Sequence, residues 1–189
     1  MRIDLEQAKR VLQVRERDVI PLELLRPAAV LIPYYEKDGE GHLVLTKRSS
    51  TVDTHKGQVA FPGGKQEEGE DLLTTALRET HEELGISPDD VEIIGPLDDI
   101  VTISDFRVTP YFGRIPHPYD YVLSEDEIES VFATPLSALM DDGNLVKNII
   151  THEGNQYATY YFDWDGYTIW GATGRIVVQF LKLFFGKDF

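Results

Sequence analysis

Between Gly63-Gly64 and Gly85 the sequence makes two opposed demands on a single element. Wound as a helix at about 100° per residue, Asp71 to Leu84 places Leu73, Ala76, Leu77, Thr80 and Leu84 within an arc of about 100°. Glu79, Glu82 and Glu83 occupy a second arc of about 100°, rotated away from the first. The apolar stripe has to pack on a core, which leaves the acidic one lining a cleft or a surface. Like charges three and four residues apart repel by about 0.2–0.5 kcal/mol per pair. A hard divalent cation held between them removes that cost, and carboxylate oxygens suit Mg²⁺ or Mn²⁺ rather than zinc. Arg78 faces another way, where it can pair with Glu70 and brace the preceding loop, and Gly85 supplies the stop signal.

Around this helix the pattern alternates between strand and helix. Leu5, Ala8, Val11 and Leu12 predict a short amphipathic helix over residues 4–16. Ala28–Tyr35 and His42–Lys47 read as strands joined by a turn at Lys37-Asp38-Gly39-Glu40-Gly41. Val59-Ala60-Phe61, Val91–Ile94, Arg107–Ile115, Val131-Phe132 and Tyr157–Phe162 read as further strands. Ile176, Val177, Phe180, Leu181 and Phe184 share one face of a C-terminal helix. With no repeat and no linker, residues 1–189 read as one domain of α/β class with a mixed sheet.

A chain of this length buries roughly 70% of its unfolded surface and needs no disulfides. It has no cysteine, which excludes a thiolate zinc site and a thiol nucleophile. Eighteen basic against 33 acidic residues give a formal charge of −15, which disfavours nucleic acid and anionic membranes as partners. The N-terminal segment has no apolar run of a secretory signal, and no window of about 18 apolar residues spans a bilayer. The expected location is cytoplasmic.

Runs of acid are usually solvated surface. Here the pattern G-x5-E-x7-R-E-x-x-E-E-x-G fixes Gly64, Glu70, Arg78, Glu79, Glu82, Glu83 and Gly85 together, a chance match on the order of one in 10⁵–10⁶. The segment resembles the Nudix box of the Nudix hydrolases, which cleave diphosphates linked to another moiety. Thr80 stands where that family usually has an aliphatic residue, and its hydroxyl can bond back to the carbonyl four residues earlier. The resemblance implies a Nudix fold, an α/β/α sandwich around a central mixed sheet. It also implies Glu79, Glu82 and Glu83 as metal ligands and catalytic residues for Mg²⁺ or Mn²⁺, with the Gly63 carbonyl as a further ligand.

Upstream, Leu45-Thr46-Lys47-Arg48-Ser49-Ser50 followed by Gly57-Gln58-Val59-Ala60-Phe61-Pro62-Gly63-Gly64 is similar to the additional motif of Nudix coenzyme A pyrophosphatases. Ser104–Pro110 and Ile169-Trp170-Gly171-Ala172-Thr173 resemble the same subfamily. That likeness implies hydrolysis of coenzyme A or acyl-CoA to 3′,5′-ADP and 4′-phosphopantetheine. Arg48, Lys56, Gly63, Gly64 and Arg107 are then the expected substrate contacts. Asp53 stands where the subfamily usually has arginine, so binding of the 3′-phosphate is weakened or moved to Lys56 or Arg107; Gly174 replaces a frequent alanine. The alternatives are a Nudix pyrophosphatase acting on ADP-ribose or another nucleoside diphosphate derivative, and a non-catalytic nucleotide-binding module.

Among Asp120, Glu125, Asp126, Glu127 and Glu129, Glu127 best matches a family pattern for a carboxylate outside the box and is the candidate general base. His55, His81, His117 and His152 lack metal-ligand spacing. Tyr34, Tyr35, Tyr119 and Tyr121 are expected to be exposed, either to stack on adenine or to form a homodimer face.

Overall fold

The chain begins with helix α1 (Leu5–Val14), capped by the Asp4 carboxylate, which accepts from the Gln7 N–H at 3.0 Å. Strands β1 (Arg26–Lys37) and β2 (Glu40–Arg48) form an antiparallel hairpin. Its tight turn carries Asp38 and Gly39 at φ +53° and +78°, the handedness that matches strand twist. Next come β3 (Val59–Ala60), β4 (Gly63–Lys65), helix α2 (Leu72–Leu84), β5 (Glu92–Pro96), β6 (Ile100–Val101) and β7 (Phe106–Arg114). The chain ends with β8 (Ile128–Pro135), α3 (Leu136–Met140), β9 (Leu145–His152), β10 (Asn155–Trp164), β11 (Tyr167–Ile169) and α4 (Gly171–Phe185). This computed structural model describes residues 1–22, 25–49, 57–152 and 155–189.

The main sheet runs β3-β2-β1-β7-β5, with β4 on β1, β6 on β7 and β8 on β2. β1 and β7 are parallel over Arg26–Tyr34 and the other pairings are antiparallel, so the sheet is mixed. Side chains alternate across it. Ile32, Tyr34, Leu43, Leu45 and Phe112 face a core completed by Ala8 and Leu12 of α1 and by Ile176, Val177, Phe180 and Leu181 of α4. Tyr35 and Val44 face the other way, toward Leu84 of α2 and Ile86. Helices therefore cover both faces, as the α/β/α expectation requires. A smaller antiparallel sheet, β11-β10-β9, packs through β10 against α4. The sequence reading did not contain β4, β6, α3, β9 or β11.

The tyrosines correct one expectation. Tyr34 is fully buried; its hydroxyl accepts from the Ile3 N–H at 3.2 Å and donates to Glu36 at 3.0 Å. Tyr35 is buried too, with the His117 ring stacked on it at 4.1 Å and that of His42 at 5.0 Å. Both lie on a central strand covered on its two faces, where successive residues all point into packing. Tyr119 and Tyr121 are partly buried, and the Tyr119 hydroxyl donates to Asp90 at 2.8 Å and accepts from the Ser87 N–H at 2.9 Å.

Candidate active site

Helix α2 starts where the Asp71 carboxylate accepts from the Thr74 N–H at 2.8 Å, and it ends at Gly85 in the left-handed conformation. Ala76, Thr80 and Leu84 are fully buried, and the Thr80 hydroxyl donates to the Ala76 carbonyl at 2.7 Å. The acidic arc is graded. Glu82 is 57% exposed, the Glu79 side chain 19%, and Glu83 only 3%. Glu83 lies about 20° around the helix from Ala76, so it sits at the border of the apolar stripe.

Burial of Glu83 is bounded by the glycine loop. The Gly63 N–H donates to Glu83 Oε2 at 3.2 Å, and Arg48 Nη1 stands 3.5 Å from Oε1. Gly63 has φ +148°, and a Cβ there would lie 2.3 Å from the Ala29 carbonyl oxygen, because β4 runs against β1. A Cβ on Gly64 would come within 2.4 Å of the Glu79 carboxyl carbon. Gly63 thus lets the loop lie close on β1, and Gly64 leaves room for the Glu79 carboxylate.

Desolvation pushes the Glu83 carboxyl up to about 8, against the opposing pull of Arg48 and the Gly63 N–H; the charges of Glu79 and Glu127 push it further up. Burial also raises Glu79, opposed by Arg78 and assisted by Glu82 and Glu127. Glu70 behaves oppositely. Arg78 holds it with Nε at 3.1 Å and Nη2 at 2.9 Å, and chiefly this lowers its carboxyl to about 2. Arg78 also reaches Glu79 and Glu82, each at 3.0 Å, and the Lys65 carbonyl at 3.4 Å. The expected Arg78–Glu70 brace is present. Among the described residues no three His, Asp or Glu side chains converge into a ready cage, because the three box glutamates turn toward arginines.

Glu127 reaches the site on a loop clamped at both ends. The Val122 N–H bonds the Leu84 carbonyl at 2.9 Å and the Ser124 N–H bonds the Glu83 carbonyl at 3.1 Å. The Ser49 N–H bonds the Glu127 carbonyl at 2.7 Å, and Ile128 then pairs with Arg48 in the sheet. The structure thereby brings together Glu79, Glu83, Glu127, Arg48, Gly63 and Gly64, with Glu82 at the margin. Ser49 and Ser124, whose backbones place Glu127, were missed by the sequence reading; the available signal was the Ser-x-x-Glu spacing at 124–127, a turn-starting pattern.

Arg107 is a correction. Its guanidinium is buried on β7, donates to the Ile20 carbonyl at 2.9 Å and lies 3.7 Å from the Asp99 carboxylate. Asp99 also accepts from Arg17 at 3.0 Å, the Ile20 N–H at 3.1 Å and Thr109 at 2.6 Å. A fully buried carboxylate requires such neutralisation, and Arg107 is held by that internal network instead of facing a ligand. Lys56, Asp53 and His55 lie outside the described residues. The Thr173 hydroxyl, in the segment resembling the subfamily, donates to the Val59 carbonyl at 3.1 Å and so braces the strand that runs into Pro62-Gly63-Gly64. Gly174 is confined: a Cβ would meet the Tyr160 carbonyl oxygen at 2.7 Å, which explains why alanine is absent. Clefts of about 550 and 510 Å³ lie elsewhere, one beside residues 2–6 and 114–117, the other between α4 and β10.

A profile of the NUDIX domain matches residues 25–150, two thirds of the chain. The chain belongs to the Nudix family. Curated Nudix relatives agree: it is 40% identical over 153 residues to the uncharacterized Nudix hydrolase NudL of Citrobacter koseri, and 39% identical to NudL of Cronobacter sakazakii. In each case the match covers 80% of this chain and 79% of the relative. The Nudix fold is shared with the crystallised binary complex of a C. elegans Ap4A hydrolase, at TM-score 0.52 and 24% identity over 58% of this chain and 80% of that one. It is also shared with a MutT/nudix family protein from Enterococcus faecalis, at TM-score 0.52 and 14% identity over 90% and 64%. The donor chemistry of this Nudix box fits a divalent cation. Burial raises the Glu79 and Glu83 carboxyls, and neighbouring acids add to it, Glu82 and Glu127 for Glu79 and Glu79 and Glu127 for Glu83, the imbalance that a hard cation relieves.

Proposed function

We propose that this Nudix hydrolase cleaves the diphosphate of coenzyme A or an acyl-CoA, releasing 3′,5′-ADP and 4′-phosphopantetheine or its acyl form. The observation that carries the reaction class is the buried Glu83 carboxylate, held between the Gly63 N–H and Arg48 with Glu79 and Glu127 alongside. The substrate class is supported by the segments at 45–64, 104–110 and 169–173, the last of which grips Val59 at the entrance to the glycine loop.

Glu79, Glu83 and, at the margin, Glu82 would hold Mg²⁺ or Mn²⁺, with the Gly63 carbonyl as a further ligand. Such a cation draws charge from a diphosphate and lowers the pKa of an attacking water. Glu127 is exposed and able to accept the proton of that water as general base. The Arg48 guanidinium offers paired donors to a phosphate, and the glycine loop lets the diphosphate approach backbone. Lys56 carries the remaining expectation for the 3′-phosphate.

Side-by-side turnover of coenzyme A, dephospho-coenzyme A and ADP-ribose, with products identified and with Mg²⁺ or Mn²⁺ present or omitted, tests this reading. Preference for coenzyme A is expected. Indifference to the 3′-phosphate, or preference for ADP-ribose, overturns the substrate; no turnover on any diphosphate, with nucleotide binding retained, marks a binding module.

A further inference from the structure

The three box glutamates are contacted by two arginines held in different ways. Arg78 is locked: besides Glu79 and Glu82 it bonds Glu70 through two nitrogens, and Glu70 is fixed in turn by the Thr75 hydroxyl at 2.8 Å and the Glu67 N–H at 2.9 Å. Arg48 is held loosely. Its backbone is pinned at the end of β2, where its N–H bonds the Gln58 carbonyl at 3.0 Å beside a register shift at Lys47/Arg48. Its guanidinium stays 25% exposed, and among the described residues its ion pair is with Glu83 at a long 3.5 Å. A long, partly exposed guanidinium on a fixed backbone can change partner by side-chain rotation alone.

We propose that Arg48 exchanges partners: it is the hydrogen-bonding partner of Glu83 in the metal-free protein and a ligand of the substrate diphosphate once a divalent cation takes its place on Glu83. This rests on the reading of the site as a metal-dependent diphosphate hydrolase. Two cations on one buried carboxylate repel each other across a poorly screening medium, so the cation displaces the guanidinium. The displaced fork meets its best alternative acceptor in a phosphate. Linkage then requires metal and diphosphate to favour each other's binding, with Arg48 as the coupling element.

The test uses the full chain, with Mn²⁺ binding followed by the electron paramagnetic resonance of free Mn²⁺. It compares wild type with Arg48→Met, Arg48→Gln and Arg48→Lys, each checked for folding by its circular-dichroism melting curve. The two neutral variants should bind Mn²⁺ about tenfold more tightly than wild type, while Arg48→Lys stays within about twofold. With Mn²⁺ saturating, methylenediphosphonate should bind Arg48→Met about tenfold more weakly than wild type. Arg48→Gln decides both arms should the methionine variant fail to fold. Unchanged or weaker Mn²⁺ binding by the neutral variants, or diphosphonate affinity that ignores Arg48, overturns the exchange. Wild type that binds no Mn²⁺ overturns the metal-dependent reading as well, whereas wild type that binds Mn²⁺ and hydrolyses diphosphates confines the failure to the exchange.

Discussion

Asp99 and Glu83 are both buried carboxylates beside arginine, yet they are built for different ends. Asp99 has Arg17, Thr109 and the Ile20 N–H within 3.1 Å, with Arg107 at 3.7 Å. Its partners come from two stretches of chain, residues 17–20 and 107–109, and it ties the segment after α1 to β7. Among the described residues Glu83 has two polar contacts, at 3.2 and 3.5 Å, and two neighbouring acids that oppose its charge. The first carboxylate is satisfied by the fold; the second keeps an unmet demand for positive charge, which is how a site differs from a scaffold.

The largest expected effect breaks the pair apart. Glu83→Gln should reduce kcat by about 10²–10³-fold with the fold intact, because the amide retains the shape and loses the charge. Asp99→Asn should instead cost about 3–5 kcal/mol in denaturant unfolding by stranding Arg17 and Arg107. Equal losses of stability in the two variants would erase the distinction.

Next is pH. The Glu83 carboxyl is raised from its ordinary 4.5 to about 8, so the folded state favours its protonated form. Stability of the metal-free protein is therefore fully present below about 4.5, declines as pH rises toward about 8, and is flat beyond it. The decline from this group should be on the order of 5 kcal/mol, absent in Glu83→Gln and removed by Mn²⁺ in thermal melts. A wild-type profile superimposable on that of Glu83→Gln would refute it.

The adjacent glycines sharpen the contrast at smaller scale. Gly63→Ala presses on backbone at Ala29 and Val30 in a strained φ, and should cost about 2 kcal/mol or more of stability. Gly64→Ala presses on the mobile end of Glu79, and should cost less than about 1 kcal/mol but lower turnover about 10- to 100-fold. Paired melting and kinetic measurements would expose a reversal. Smallest is Thr80→Val, which exchanges a hydroxyl bonded within its own helix for the usual aliphatic and should shift stability by less than about 1 kcal/mol in urea.

Local chemistry made much of this legible. The Asp71 cap, the Gly85 stop and the buried faces of α2 and α4 follow from periodicity, and the β1–β2 turn from its residues. Even the burial of Glu83 was implicit in its angle beside Ala76. What escaped depends on partners distant in the chain. Strand alternation says that Arg107 alternates with its neighbours and is silent on which side Asp99 waits. Two adjacent tyrosines look exposed until helices are known to cover both faces of β1. Arg48 reads as a phosphate contact, and its engagement with Glu83 emerges only when β2 and α2 are laid side by side.

The hydroxyl of Thr173 on the oxygen of Val59 makes the last helix a foundation for the glycine hairpin more than a hundred residues upstream. A truncation that removed α4 would slacken the floor beneath Gly63 while leaving Glu79, Glu82, Glu83 and Glu127 untouched.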